Sequence, residues 1–156
     1  MLQRIISGGQ TGADRAALDA ALETGFPCGG YCPKNREAED GPIDDRYPLV
    51  EINGGYAERT RKNVEESDGT LIVFQSPIHG GTRLTRDYCI QCEKPCLLID
   101  FITASPTQAL EEVESFIHQY SINALNVAGP RASDCPEVYG YVHDLILKLC
   151  SDFRTV

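Results

Sequence analysis

The first two dozen residues constrain the fold more than any other stretch. Leu2, Ile5 and Ile6 make a short apolar run of the kind that forms a buried strand. Ser7-Gly8-Gly9-Gln10-Thr11-Gly12 follows as a glycine-rich turn, and an alanine-rich helix is expected over Ala13 to Thr24. That helix carries Ala17, Leu18, Ala21 and Leu22 on one face and Arg15, Asp19 and Glu23 along another, with Gly25 placed to end it. A strand running through glycines into a helix start brings free backbone N–H groups and the positive end of a helix dipole to one point. Such a point attracts anions. The turn matches neither the GxGxxG fingerprint nor the P-loop, so taken alone it is equally compatible with a tight connection that binds nothing.

The same unit recurs. Thr70 to Phe74 is a continuous apolar run typical of a strand buried on both faces, and Gln75 to Thr82 follows as a turn with Gly80-Gly81, opening a helix to about Glu93. Thr82 suits the N-cap of that helix. Cys96 to Asp100 reads as another buried strand. Ser105-Pro106-Thr107-Gln108 is a helix start with an N1 proline and capping-box spacing, followed by the stripe Ala109, Val113, Phe116, Tyr120. Ala124 to Ala128 is a further strand, leading into Gly129-Pro130-Arg131-Ala132-Ser133. A last helix begins near Pro136 with the stripe Val138, Val142, Leu145, Leu149. Pro27 to Tyr31 is a weak strand, Tyr56 to Ser67 a mostly polar helix, and Cys32 to Pro48 a long aperiodic loop.

Strands alternating with helices predict an α/β fold with a parallel sheet covered on both faces. Ligands of such sheets sit outside the carboxyl ends of the strands. Three of the expected strand ends carry glycine-containing turns, Gly8–Gly12, Gly80–Thr82 and Gly129–Ser133, and all three should open on one edge. That agreement turns the first turn into a candidate phosphate site.

The 156 residues suit one domain, and the formal charge of −9 argues against nucleic acid or an anionic membrane as partner. No apolar run approaches the length of a membrane span and the N-terminus lacks the pattern of a signal peptide, so a cytoplasmic location is expected. In that compartment the seven cysteines are expected to be reduced. Cys89-x2-Cys92 and Cys96 suggest a metal, but no fourth ligand keeps a zinc or iron–sulfur spacing, and buried apolar thiols account for them better.

Ser7 to Asp19, Cys32-Pro33-Lys34 with Ala38 to Ile43, Asn63-Val64, Ser67 to Ile72, Gly80-Gly81-Thr82, Lys94-Pro95 and Asn126 to Arg131 together resemble the molybdenum carrier family. That family belongs to a wider Rossmann-like superfamily with the lysine-decarboxylase-like, cytokinin-activating proteins. The resemblance implies a three-layer α/β/α Rossmann-like fold, with a mostly parallel sheet of about five to seven strands. It also implies a phosphorylated, nucleotide-like or pterin ligand, and a homo-oligomer, dimer or tetramer. For the eponymous members the ligand is molybdenum cofactor. The related hydrolases carry a PGGxGTxxE motif whose glutamate supports catalysis. Here the position three after Thr82 is Thr85, and Asp87 lies further round the helix. That departure favours a binder over a phosphoribohydrolase.

The candidate ligand residues are as follows from the residue types. Gly8, Gly9 and Gly12 offer N–H groups, Gln10 an amide and Thr11 a hydroxyl. Asp14 serves either as helix-start chemistry or as an orienting partner for Arg15 or a sugar hydroxyl. Lys34, Arg36, Glu39 and Asp40 either contact ligand from the long loop or pair with one another on its surface. Asn63 and Ser67, one helical turn apart, are placed to face the crevice. Gly80, Gly81 and Thr82 would hold the same or a second phosphate, and Gly129 precedes Arg131 at a third strand end. His79 is the one histidine beside the site. Two other classes stay open: a hydrolase using Asp14, Glu39 and Asp40 as acid–base groups, and a thiol or iron–sulfur redox protein.

Overall fold

The computed structural model describes residues 1–154. Its elements are β1 (Arg4–Ile6), α1 (Ala13–Thr24), β2 (Cys28–Cys32), β3 (Glu37–Ala38), β4 (Gly41–Pro42), β5 (Leu49–Glu51), α2 (Tyr56–Glu65), β6 (Gly69–Phe74), α3 (Gly80–Gln91), β7 (Cys96–Asp100), α4 (Pro106–Tyr120), β8 (Ala124–Ala128) and α5 (Val138–Asp152). Six strands form one sheet in the order β5-β2-β1-β8-β6-β7, and every neighbouring pair is parallel. β3 and β4 form a separate antiparallel hairpin inside the long loop. The result is the three-layer Rossmann-like arrangement expected, with α1, α4 and α5 packed together on one face and α2 and α3 on the other.

Alternation along the strands makes those two faces chemically different. Ile5, Leu71, Val73, Ile99, Leu125 and Val127 point into the large apolar core beneath α1, α4 and α5. The intervening positions Ile6, Thr70, Ile72 and Asn126 are also buried, but Asn126 Nδ2 donates to Thr70 Oγ1 at 3.2 Å on that side. Ala13, Ala16, Ala17, Ala20 and Ala21 are fully buried and let α1 lie close against its neighbours. Gly25 ends α1 in the left-handed conformation, its N–H directed at Ala21 and Leu22 carbonyls. Leu22 of the expected α1 stripe and Tyr120 of the α4 stripe are exposed instead, each lying at the margin of its face.

Order in the sheet positions the site. From β1 the chain moves outward through α1 to β2 and β5. It returns to β6, goes out to β7, and fills the remaining gap with β8. The carboxyl ends of β1, β8 and β6, the three strands with glycine turns, are therefore adjacent at the centre of the sheet. That is where strand order reverses and a crevice opens.

Two local expectations are corrected, and one strand was not foreseen. α3 begins at Gly80, with His79 in extended conformation as its N-cap, so Thr82 lies inside the first turn and caps nothing. The long loop is not featureless: it holds a 3-10 turn at Lys34–Arg36 and the β3–β4 hairpin. Just beyond it, β5 pairs Leu49 with Gly30 and Glu51 with Cys32 as an edge strand too short for a readable period.

Candidate functional site

A cavity of about 400 Å³ lies at those strand ends, within the range usual for small-molecule sites. Gln10 and Asp14 line it from α1 and its turn, and Tyr56, Ala57, Arg59 and Thr60 from the start of α2. Phe74 to Thr82, Leu84 and Thr85 contribute the β6–α3 wall. Ala128 to Arg131, Asp134 and Cys135 contribute the β8 wall. The three glycine turns do open on one edge.

The first turn, however, is partly closed from within, through Gln10 N, Thr11 N and Ala13 N. Asp14 is buried, and its Oδ2 accepts from Gln10 N at 3.2 Å while facing Arg59 Nη1 at 3.3 Å. Thr11 N donates to Gln10 Oε1 at 3.0 Å, and Ala13 N to the Pro130 carbonyl at 3.2 Å. Arg15 donates through Nε and Nη2 to the Gly9 carbonyl and pairs with Asp40 at 2.9 Å. Burial pushes the Asp14 carboxyl up, against the opposing pull of Arg59. The glycines here serve packing. Gly12 sits at φ +79 beside Pro130 and Ala132 backbone, and a Cβ on Gly129 would stand 2.7 Å from Ala13 Cβ. A Cβ on Gly8 would press into Arg59, 2.7 Å from its Cζ.

The second turn is open. Like α1, α3 has no side-chain cap, but its first turn holds no acidic residue and a Cβ on Gly80 or Gly81 would meet nothing within 4 Å. The N–H groups at a helix start lack intrahelical partners. Of the two turns that the sequence offers as phosphate seats, this is the one with open space and no acidic residue beside it. The turn is anchored from β7, where Ser76 Oγ donates to Asp100 Oδ2 at 2.8 Å. Thr85 lines the cavity and donates Oγ1 to the Gly81 carbonyl at 2.9 Å.

Of the loop residues, none lines the cavity. Glu39 accepts from Thr11 Oγ1, from Ser133 N at 3.2 Å and from Ser133 Oγ, and those hydrogen bonds, Ser133 foremost, hold its carboxyl below the usual range. Asp40 is held low by its hydrogen bonds from Arg15. Arg36 is spent on the carbonyls of Ile43, Asp44, Tyr47 and Leu49. Lys34 is exposed. The four residues thus neither reach the cavity nor pair with one another; Glu39 and Asp40 clip the loop to the turns after β1 and β8. Asn63 and Ser67 do not face the crevice either. Asn63 clamps β2 through Tyr31 N at 2.8 Å and Tyr31 O at 3.0 Å, and Ser67 Oγ donates to the Val64 carbonyl. Arg131 does line the cavity but is half exposed, pairing with Asp134 at 3.1 Å.

Arg59 is the site residue the sequence reading missed. Its guanidinium lies against Gly8, its Cζ stands 5.7 Å from the Tyr56 ring centroid, and its Nε is buried with no hydrogen-bond partner. An orphaned buried donor costs about 1–3 kcal/mol. Arg59 sits on a helix read as polar on most sides, so no periodic signal set it apart from Arg61 or Lys62. Cys135 and Gln75 were missed too. Burial pushes the Cys135 thiol up, and its Sγ donates to Gln75 Oε1 at 3.7 Å. All seven cysteines are free thiols, and among the described residues no group of three or more His, Cys, Asp or Glu converges as a metal site.

A model of the circularly permutated YpsA SLOG family matches residues 5–150. The chain is also similar to a crystal structure from Syntrophus aciditrophicus SB described as a "putative molybdenum carrier protein". The two are 46% identical with a TM-score of 0.91, over 93% of this chain and 92% of that one. No curated protein matches.

Proposed function

The chain belongs to the circularly permutated YpsA SLOG family, and on that premise we propose that it is a binding or carrier protein for one small phosphorylated ligand. One observation carries the reading: the α3 start, with no acidic residue in its first turn, opens into the cavity that Arg59 also lines. Backbone N–H groups from Gly80, Gly81 and Thr82 would take phosphoryl oxygens, with Arg59 adding a charge-assisted bond. Tyr56, Pro77, Ile78 and Leu84 supply apolar and aromatic lining for a flat ring, nucleobase or pterin. The cations Arg59 and Arg131 are each balanced by an aspartate, Asp14 and Asp134. The cavity is therefore no general trap for polyanions, in keeping with the chain's net charge of −9.

Molybdenum cofactor, a phosphorylated pterin, is the cargo suggested by the name of the similar protein from Syntrophus aciditrophicus. The donors present fit its phosphate and its ring. They offer the metal little: Cys135 is the cavity's cysteine, and its thiol is held protonated by burial. In this reading the affinity comes from phosphate and ring, and the protein works as a cytoplasmic homo-oligomer. Hydrolysis has less support. Of Asp14, Glu39 and Asp40 only Asp14 lines the cavity, and Thr85 stands where the related hydrolases carry glutamate.

Mass spectrometry of small molecules that co-purify with the native protein, followed by calorimetry with nucleoside monophosphates and a pterin monophosphate, tests the proposal. The expected result is stoichiometric binding of at least one of them without chemical change. Release of free base from any nucleotide, or failure of every phosphorylated compound to bind, overturns it.

A further inference from the structure

Three helix starts contribute residues to the cavity, and they are not equivalent. α1 carries Asp14 in its first turn and α2 carries Glu58, whereas α3 carries no acidic residue there. Glu58 Oε2 accepts from Gly55 N at 3.0 Å. Asp14 does more than sit near a dipole. Its side chain is only 6% exposed, and its Oδ2 draws on a turn amide, Gln10 N, and a guanidinium, Arg59 Nη1. Those are the two kinds of donor a phosphoryl oxygen would use at a glycine turn.

Resting on the reading that a phosphoryl group binds at the start of α3, we propose that Asp14 is a specificity-determining residue. It acts as a resident anion in the α1 seat and limits the cavity to ligands with a single phosphoryl group at this end. A second phosphoryl extending from Gly80-Gly81 toward Gly8–Gly12 meets the Asp14 carboxylate where it already takes Gln10 N and Arg59 Nη1. Gln10 is itself tied into the turn, its Oε1 accepting from Thr11 N at 3.0 Å and Glu39 N at 2.9 Å. Mononucleotide-like or pterin monophosphate ligands are therefore accepted, and nucleoside diphosphates and dinucleotides refused.

Inorganic phosphate and pyrophosphate isolate the effect from any ring. Both are titrated into isotope-labelled protein, wild type and Asp14→Ser, while the backbone amide resonances of Gly80, Gly81 and Thr82 are followed. The wild type is expected to bind pyrophosphate within about threefold of phosphate. In Asp14→Ser the pyrophosphate affinity is expected to rise about tenfold or more relative to phosphate, the worth of one charge-assisted hydrogen bond. Asp14→Asn, which keeps the oxygen acceptor and loses the charge, should fall between. A wild-type preference for pyrophosphate above about tenfold overturns the role of Asp14 whether or not the variants fold. So does an unchanged ratio in folded Asp14→Ser. If neither anion moves the Gly80 to Thr82 resonances, the phosphoryl seat itself is wrong and the inference falls with it.

Discussion

The turns after β1 and β6 are the same device in sequence and opposite devices in structure. Each is a glycine pair at the end of a buried central strand that opens a twelve-residue helix. After β1 the glycine pair packs against the side chains of Arg59, Leu49 and Ile43 and Gly12 against the Pro130 carbonyl, and Asp14, with Arg59 behind it, takes the Gln10 amide before the helix. After β6 the glycines face open space and the first turn of the helix holds no acidic residue. A glycine-rich turn therefore says that something approaches the backbone closely. Whether that something is the protein itself or a ligand depends on residues remote in sequence, here Pro130 and Arg59.

The comparison can be broken in four places. Arg59→Ala removes the partner of a buried carboxylate and should destabilise the fold by about 3–5 kcal/mol. Chemical denaturation checks this, and a loss below 1 kcal/mol would mean that Asp14 is not held as described. Gly81→Asp puts a carboxylate at the α3 start, where there is room for it. It should weaken phosphate-ester binding about a hundredfold, some 2.7 kcal/mol, with the melting temperature nearly unchanged. Gly12→Ala should do the reverse. At φ +79, against the Pro130 carbonyl, an added methyl should cost about 1–3 kcal/mol of stability while binding by the protein that remains folded is kept. If Gly12→Ala abolishes binding in folded protein, the two turns are not as different as drawn.

The smallest effect is in pH dependence, and its sign differs between carboxylates. Glu39 and Asp40 titrate lower in the folded chain than their ordinary values of 4.5 and 3.8. Their contribution is complete above those values and is lost as pH falls through the folded ones. Asp14 titrates higher when folded, so between 3.8 and its folded value stability declines as pH rises. Acid-titrated melting curves should then lose part of their low-pH slope in Glu39→Gln. In Asp14→Asn they should lose the decline that begins above 3.8. Identical profiles for both variants and wild type would contradict the assignment of these groups.

Much of the frame was legible because local chemistry dictated it. The α1 range, the strands Cys96–Asp100 and Ala124–Ala128, and the Ser105 capping box with Gln108 all rest on neighbours in sequence, and the structure has them as expected. The convergence of three turns followed from parallel topology alone. What was not legible depends on long-range closure. Asn63 looks like a site residue until β2 is seen to use both ends of its amide, 32 residues away. Glu39 looks like a ligand contact until Ser133 is found against it, 94 residues on. Arg59 looks like one surface cation among several, since its partner Asp14 lies 45 residues earlier.

The central claim is that phosphate binds at the start of α3 and not at the glycine turn after β1. A crystal structure with a bound nucleoside monophosphate tests it most directly. The expected result is a phosphoryl group within hydrogen-bonding reach of the Gly80 and Gly81 amides and of the Arg59 guanidinium, with the Asp14–Gln10 contact intact. A phosphoryl group on the Gly8–Gly12 amides, with the Asp14 carboxylate displaced, would contradict it.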